Sequence, residues 1–213
     1  DETDHTLSDS FISGGILNVT TTGRESNDMS AKGIKIGWVT KDGSGDHAKV
    51  TGNAGKLVIS GGNIFINSTY GEGLEVKGDL TFDGGETYVS STSEDAVNCQ
   101  GDLTVNNGFV YAYSSGNDAM DSNGNTNLNG GYVMAICTKG NPEVAIDANT
   151  EGGKKLYINN GVKLVAYGGL ENGYSASQSV YSMNGTAGSW NALHDGKSFI
   201  AAFKAPSNIS NFI

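Results

Sequence analysis

The chain has 213 residues, 32 of them glycine and 2 proline, and a formal net charge of −10. Arg24 is the single arginine among 13 basic residues, which argues against a nucleic-acid partner, because phosphate binding needs a basic face. Glycine and asparagine disfavour long helices, and no run of about 18 apolar residues offers a membrane span.

The opening, "DETDHTLSDS", carries no signal-peptide pattern and leaves export undecided. The stretch Trp38 to Gly55, "WVTKDGSGDHAKVTGNAG", is polar and glycine-rich and reads as a degenerate repeat with an outward loop. A regular repeat follows. Second glycines of GG or NG pairs fall at Gly62, Gly85, Gly108 and Gly131, 23 residues apart. Gly161 comes 30 residues later, and Gly15 precedes Gly62 by 47, two periods plus one. The units read "LVISGGNIFINSTYGEGLEVKGD", "LTFDGGETYVSSTSEDAVNCQGD" and "LTVNNGFVYAYSSGNDAMDSNGN"; a fourth, "TNLNGGYVMAICTKGNPEVAIDANTEGG", carries an insertion. A fixed period in this range signals a solenoid or array.

Apolar residues alternate within each unit, as in Leu57 and Ile59, Ile64 and Ile66, Leu74 and Val76. Alternation means strands with one buried face. Three short strands per unit predict an all-β, single-stranded parallel β-helix over residues 1–171, right-handed by the bias of parallel crossovers. From residue 172 the repeat is lost, and Asn184-Gly185 and Asp195-Gly196 read as hairpin turns. Residues 172–213 are therefore expected to form an antiparallel β cap, since a solenoid end exposes its core and an edge.

Residues at one position of a repeat stack at about 4.8 Å. The column Ser60, Asp83, Asn106, Asn129, Asn159 is expected to bond side chain to side chain beside the glycine turn. Two acidic columns lie three residues apart: Glu72, Asp95 and Asp118, then Glu75, Asn98 and Asp121, with Asp147 in the second if the insertion precedes "AIDAN". Carboxylates at that spacing repel by roughly 0.9 kcal/mol per pair in water and about 3.5 at an effective dielectric of 20. Two readings stand: a solvated acidic stripe, or a ladder holding Ca2+, which takes oxygens from carboxylates, amides and carbonyls. Magnesium demands a tighter octahedron, and zinc lacks its His and Cys ligands here. "DSNGN" is no EF-hand, because Thr126 stands where that loop needs glycine.

An outward stripe of Phe65, Tyr88, Tyr111, Met134 and Leu164, flanked by Phe109, Tyr113, Tyr132 and Tyr157, is aromatic and apolar. It either stacks on sugar rings, with Tyr88, Tyr111, Tyr113 and Tyr132 as the candidates, or is covered by the cap, a loop or another subunit. Cys99 and Cys137 read as buried thiols. His5, His47 and His194 are scattered, and the sequons at Asn18, Asn67, Asn184 and Asn208 are expected by chance in so Asn/Ser/Thr-rich a chain.

The units "GDLTVNNGFVYAYSSGNDAMDSNG" and "GEGLEVKGDLTFDGG", with the tail "GYSASQSVYSMNGTAGSWNAL…GKSFIAAFKAP", resemble a family of bacterial carbohydrate-binding β-helix proteins over roughly residues 30–206. The resemblance implies a polysaccharide-lyase-like right-handed β-helix at the bacterial surface or outside the cell. It also implies calcium along the acidic positions, and acidic plant polysaccharide (polygalacturonate, pectin) or cellulose as ligand without lyase activity. Asp95, Asp118 and Asp121 best match the family's calcium positions, with Glu72, Glu75 and Asn98 next. The first unit departs from the pattern: "AKGIKIG" puts Lys32 and Lys35 where acids would stand. The alternatives are a calcium-dependent pectate lyase and a structural or adhesive surface protein. A lyase needs a basic residue near the acids, and Lys77 and Lys139 are the nearest, but surface lysines stay protonated.

Overall fold

The computed structural model describes residues 9–26, 29–42, 49–206 and 209–212. His5, His47 and the sequon at Asn208 lie outside the described residues. The described chain is all-β; apart from a 3-10 turn at Thr150–Gly152 it contains no helix, and so none long and apolar enough to cross a membrane.

Eleven strands form one sheet in which every pairing is parallel. Leu57–Ser68 is long enough to serve two rows of neighbours. Its first part pairs with Leu80–Phe82, and that row continues through Leu103–Val105, Thr126–Leu128, Leu156–Ile158 and Ser175–Ala176. Its second part pairs with Glu86–Ser91, followed by Phe109–Ser114, Tyr132–Cys137 and Lys163–Tyr167. A second parallel sheet orders Ile34–Ile36, Leu74–Val76, Val97–Cys99 and Met120–Ser122, and bridges carry it on to Ile146 and Leu170. The register is the 23-residue period itself: Thr87 lies beside Val110, Val97 beside Met120, Leu80 beside Leu103.

This register turns alternation into a core. Each repeat sends six side chains inward, as Leu57, Ile59, Ile64, Ile66, Leu74 and Val76 do, and those of successive repeats join one buried cluster. A buried Leu, Ile or Val contributes about 1.5–3 kcal/mol. The five glycines that mark the period all turn the backbone at positive φ. Beside them Asn106 donates to Asp83, Asn129 to Asn106 and Asn159 to Asn129, at 2.8, 2.8 and 2.7 Å, so the polar ladder forms as expected.

Four expectations are corrected. Gly15 is not two periods from Gly62: Ser10–Thr21 pairs directly with Leu57–Ser68. The intervening polar stretch is no degenerate repeat, because Trp38–Asp42 and Lys49–Ala54 pair antiparallel as a hairpin. It has no alternating apolar column to add to the stack, so it satisfies its backbone within itself. The turn expected at Asn184-Gly185 is instead a strand, Met183–Gly185, antiparallel to Ile209–Phe212. Pairing with a distant segment overrides the local turn preference. In the outward stripe, Val165 rather than Leu164 follows Met134. Val162, buried after the Gly161 turn, adds one residue to the repeat, and a one-residue slip exchanges the two faces of a strand.

The Asp195-Gly196 turn does join an antiparallel pair, Trp190–Asp195 and Ser198–Lys204. Its Phe203, with Ala205 just beyond, is buried against Met134, Ile136, Val165 and Tyr167 on the outer side of the large sheet. At this end of the stripe the covered reading holds.

Candidate functional site

The acids sit on the four-stranded sheet and on the corner leading into it. The corner is built by a column of buried serines. Ser91 donates to the Gly71 carbonyl at 3.0 Å and accepts from the Glu94 amide at 3.1 Å. Ser114 donates to the Glu94 carbonyl at 2.7 Å and accepts from the amides of Gly116 and Asn117 at 3.1 and 3.0 Å. These bonds tie each turn to its neighbour and deliver Glu72, Asp95 and Asp118 to one position. Sequence reading missed the serines, although "STYGE", "STSED" and "SSGND" place each one four residues before its acid. Ser114→Ala would strand a buried carbonyl and two amides. Urea unfolding should show a loss of about 1–3 kcal/mol.

The register makes two columns. One runs Lys32, Glu72, Asp95, Asp118, tied by Gly33, Gly73 and Ala96 amides donating to the carbonyls of Glu72, Asp95 and Asp118. The other runs Lys35, Glu75, Asn98, Asp121. The Met120–Ile146 and Ile146–Leu170 bridges extend the second column to Asp147, as expected, and to Glu171. Glu171 was missed; the apolar–acid pairs Met120-Asp121, Ile146-Asp147 and Leu170-Glu171 were its signal.

Charge divides the ladder in two. At the first end, Lys32 pairs with Glu72, Lys77 pairs with Glu75, and Lys35 lies 3.4 Å from Glu75. Burial alone would raise Glu75, but the hydrogen bond and charge of Lys77, then the charges of Lys35 and Lys32, carry it below its usual range. Beyond that point the lysine pairs end. Among the described residues no Lys or Arg forms an ion pair with Asp95, Asp118 or Asp121. Asp95 and Asp118 are only 4% and 7% exposed, which removes the solvated-stripe reading for this part of the ladder. Burial first, then neighbouring acids, push Asp95 up to about 8. Burial also pushes Asp118 to about 7 and Asp121 to about 6. Burial and its contact with Glu171 raise Asp147 as well.

Asn98 knits the middle together. Its amide donates to Asp95 at 2.9 Å and to Asp121 at 2.8 Å. Asp95 accepts from the Asp118 amide at 3.0 Å, and Asp118 from the Val144 amide at 2.5 Å. The acids climb level by level, and among the described residues no three of them meet in a ready-made cage. A donor set of buried carboxylates, an amide oxygen and backbone carbonyls, short of positive charge, fits calcium, whose shell is large and irregular; it does not fit the tight octahedron of magnesium.

The second surface is the outer side of the large sheet, before the region covered by the C-terminal hairpin. Phe65 and Tyr88 stack with centroids 5.0 Å apart and planes 8° apart. Phe109 and Tyr111 tilt against Tyr88 at 5.4 and 6.3 Å. Asn18, Phe65, Asn67, Tyr88, Ser90 and Tyr111 line a depression of about 320 Å³. The four candidate tyrosines part company here. Tyr88 and Tyr111 border the depression, Tyr113 packs beside the C-terminal hairpin, and Tyr132 is exposed one column away. Cys99 and Cys137 are free and buried.

A family model described as carbohydrate-binding domain-containing protein matches residues 39–202. The chain belongs to that family. No curated protein and no solved structure matches it. This carbohydrate-binding domain carries nearly all of both surfaces inside the matched segment; Asn18 and the lysines at 32 and 35 precede it. Family membership points to polysaccharide as partner and to binding rather than catalysis.

Proposed function

We propose that the repeats wind as a right-handed, single-stranded parallel β-helix. We further propose that the domain is a non-catalytic, calcium-dependent receptor for acidic polysaccharide such as polygalacturonate, working at or outside the bacterial surface. Parallel rows at one 23-residue offset support the winding, and the bias of parallel crossovers supports its hand. The observation that carries the binding reading is that buried Asp95 and Asp118 and half-buried Asp121 pair with no lysine among the described residues, while Glu72 and Glu75, the acids at the first level of the same two columns, do.

Calcium bound there supplies positive charge that lets an acidic domain hold a uronate carboxylate. The chain's own residues do the rest. Asn98 holds Asp95 and Asp121 at fixed orientation, the serine corners set the level of each acid, and burial keeps water from screening the charge. The ring pair Phe65–Tyr88 offers a flat apolar face for pyranose stacking, with Asn18, Asn67 and Ser90 as hydrogen-bonding groups beside it. A lyase would need a free base at the acids, and the two nearest lysines are engaged elsewhere. Lys77 pairs with Glu75, and Lys139 donates to the Gly116 carbonyl at 2.9 Å.

The test is polygalacturonate affinity electrophoresis. Retardation should vanish in excess EGTA and return with calcium; retardation that survives the chelator would sink the calcium-bridge reading. Tyr88→Ala should weaken glycan affinity about tenfold, or about 1.4 kcal/mol, without altering calcium binding. Unsaturated product, read by ultraviolet absorbance after incubation with pectate and calcium, should not accumulate.

A further inference from the structure

We propose that the solvent face of the C-terminal hairpin is a second, calcium-independent contact for acidic polysaccharide, with Trp190 stacking on a uronate ring and Lys204 taking its carboxylate. This contact presupposes the acidic-polysaccharide reading above. It stands on a different element from the acidic ladder, because the hairpin packs on the outer side of the large sheet and the ladder runs along the four-stranded one.

The hairpin register builds the face. Trp190 pairs with Lys204, Asn191 with Phe203, Ala192 with Ala202 and Leu193 with Ala201. Side chains alternate between the two faces of a strand. Phe203, Leu193 and Ala201 therefore pack toward the large sheet, while Trp190, Lys204, Ala192 and Ala202 are exposed on the other side. Residues directly opposite on an antiparallel pair have Cβ atoms about 4.5–5.5 Å apart, so indole and ammonium serve one spot. The two alanines beside them leave the approach flat.

Exposure and charge together point to an anionic sugar. Trp190 is 73% exposed, whereas tryptophan is highly buried on average. Lys204 is exposed, and among the described residues its side chain has no ion pair or hydrogen bond. In a chain of net charge −10, Asp195 is the one Asp or Glu after Glu171, against Lys197 and Lys204. Asp195 pairs with Ser198 at the turn, five residues from Trp190 or about 17 Å along the strand, so it does not neutralise Lys204. A polyanion meets less repulsion here than on the rest of the surface. An anionic bilayer fits less well, because it is held by clusters of about four to eight Lys or Arg.

One ring and one ammonium hold a short oligomer at about millimolar concentration, too weakly to retard the protein by themselves, so chelation of calcium still abolishes retardation. Once calcium has seated the polymer, the second contact becomes intramolecular and adds to its overall affinity.

Trigalacturonate and its carboxyl-reduced counterpart, titrated against the full chain in EGTA and followed by the Trp190 indole N–H resonance, test the contact. The acid should shift that resonance and saturate in the millimolar range, about tenfold more tightly than the reduced sugar. Lys204→Gln should remove the preference. Trp190→Ala should keep the thermal midpoint and calcium binding of the parent, yet lower affinity for polygalacturonate in calcium about tenfold. The assignment is overturned by a silent Trp190, by equal response to acid and reduced sugar, or by parent-like polymer affinity in a folded Trp190→Ala protein. A Trp190 response to phosphatidylglycerol vesicles with none to trigalacturonate overturns it in favour of a membrane. The two readings fail separately: polymer retardation indifferent to EGTA removes the calcium ladder and leaves the Trp190 response standing, whereas a silent Trp190 removes this contact and leaves the ladder.

Discussion

Without calcium, the domain is expected to lose thermal stability as pH rises from about 5 to about 8, by on the order of 10 °C in Tm. Asp95, Asp118 and Asp121 bind protons in the folded state up to about 8, 7 and 6. In the unfolded chain the same groups release them near pH 4. Between those limits the folded state holds more protons than the unfolded, so stability falls as pH rises. Their stabilising contribution is whole below about pH 4 and is lost as pH climbs through the folded values. Each tenfold difference in proton affinity is worth about 1.4 kcal/mol, and 1 kcal/mol moves Tm by roughly 2–4 °C in a chain of this size.

Calcium should reverse the trend, because cation and protons compete for the same oxygens. Added calcium should raise Tm strongly at pH 8 and barely at pH 5, and binding should release protons into an unbuffered solution. Asp118→Asn should flatten the pH profile and weaken the calcium response, whereas Glu72→Gln, whose parent carboxylate already pairs with Lys32, should leave the calcium response intact. Scanning calorimetry with and without EGTA reads the Tm outcomes, and a pH electrode during calcium titration reads the proton release. A Tm insensitive to calcium at pH 8 would remove the ladder from consideration as a cation site.

Gly108→Ala is expected to destabilise the fold by about 2–5 kcal/mol. Gly108 turns the chain at φ +89°, where an L-residue costs about 1–2 kcal/mol. A methyl group there would also stand 2.7 Å from the Gly85 carbonyl oxygen and 2.8 Å from the Gly84 carbonyl carbon. Both are backbone atoms of the neighbouring repeat, themselves held by the stack, so they cannot rotate away as a side chain would. Overpacking of that kind adds about 1–3 kcal/mol. Gly140→Ala is the matched control: φ is +84° but nothing lies within 4 Å of the added carbon, so only the backbone cost remains. Urea unfolding should therefore separate the two by more than the error of extrapolation. Equal losses would mean that repeats are not packed turn on turn at the glycine column.

Much of the arrangement was legible in the residues. The 23-residue spacing of Gly62, Gly85, Gly108 and Gly131 predicts which residues lie side by side, and the pairing of Val97 with Met120 and Asn98 with Asp121 follows it. The Asn106–Asn129 ladder and the place of Asp147 beside Asp121 follow from the same count. Periodicity is a one-dimensional property, and parallel pairing converts it directly into lateral neighbours.

What the spacing could not carry is depth and interruption. Asp95 and Asp118 are columnar by sequence, but only the serine corners that fold the chain back over them bury them and so raise their proton affinity. Val162 shifts one strand by a residue and exchanges Leu164 for Val165 on the outer face, a change that local hydrophobicity cannot reveal because both residues are apolar. Tyr111 holds the repeat position of Tyr88, yet Tyr111 packs on the cluster that Phe203 of a hairpin some 80 residues further along closes, and Tyr88 does not. Composition and repeat alone determined the all-β stack and its columns of like residues. Tertiary structure alone decided which acids meet lysine, which are left buried without a cation, and which aromatic rings stay open to a ligand, because each depends on segments distant in the chain that no local pattern encodes.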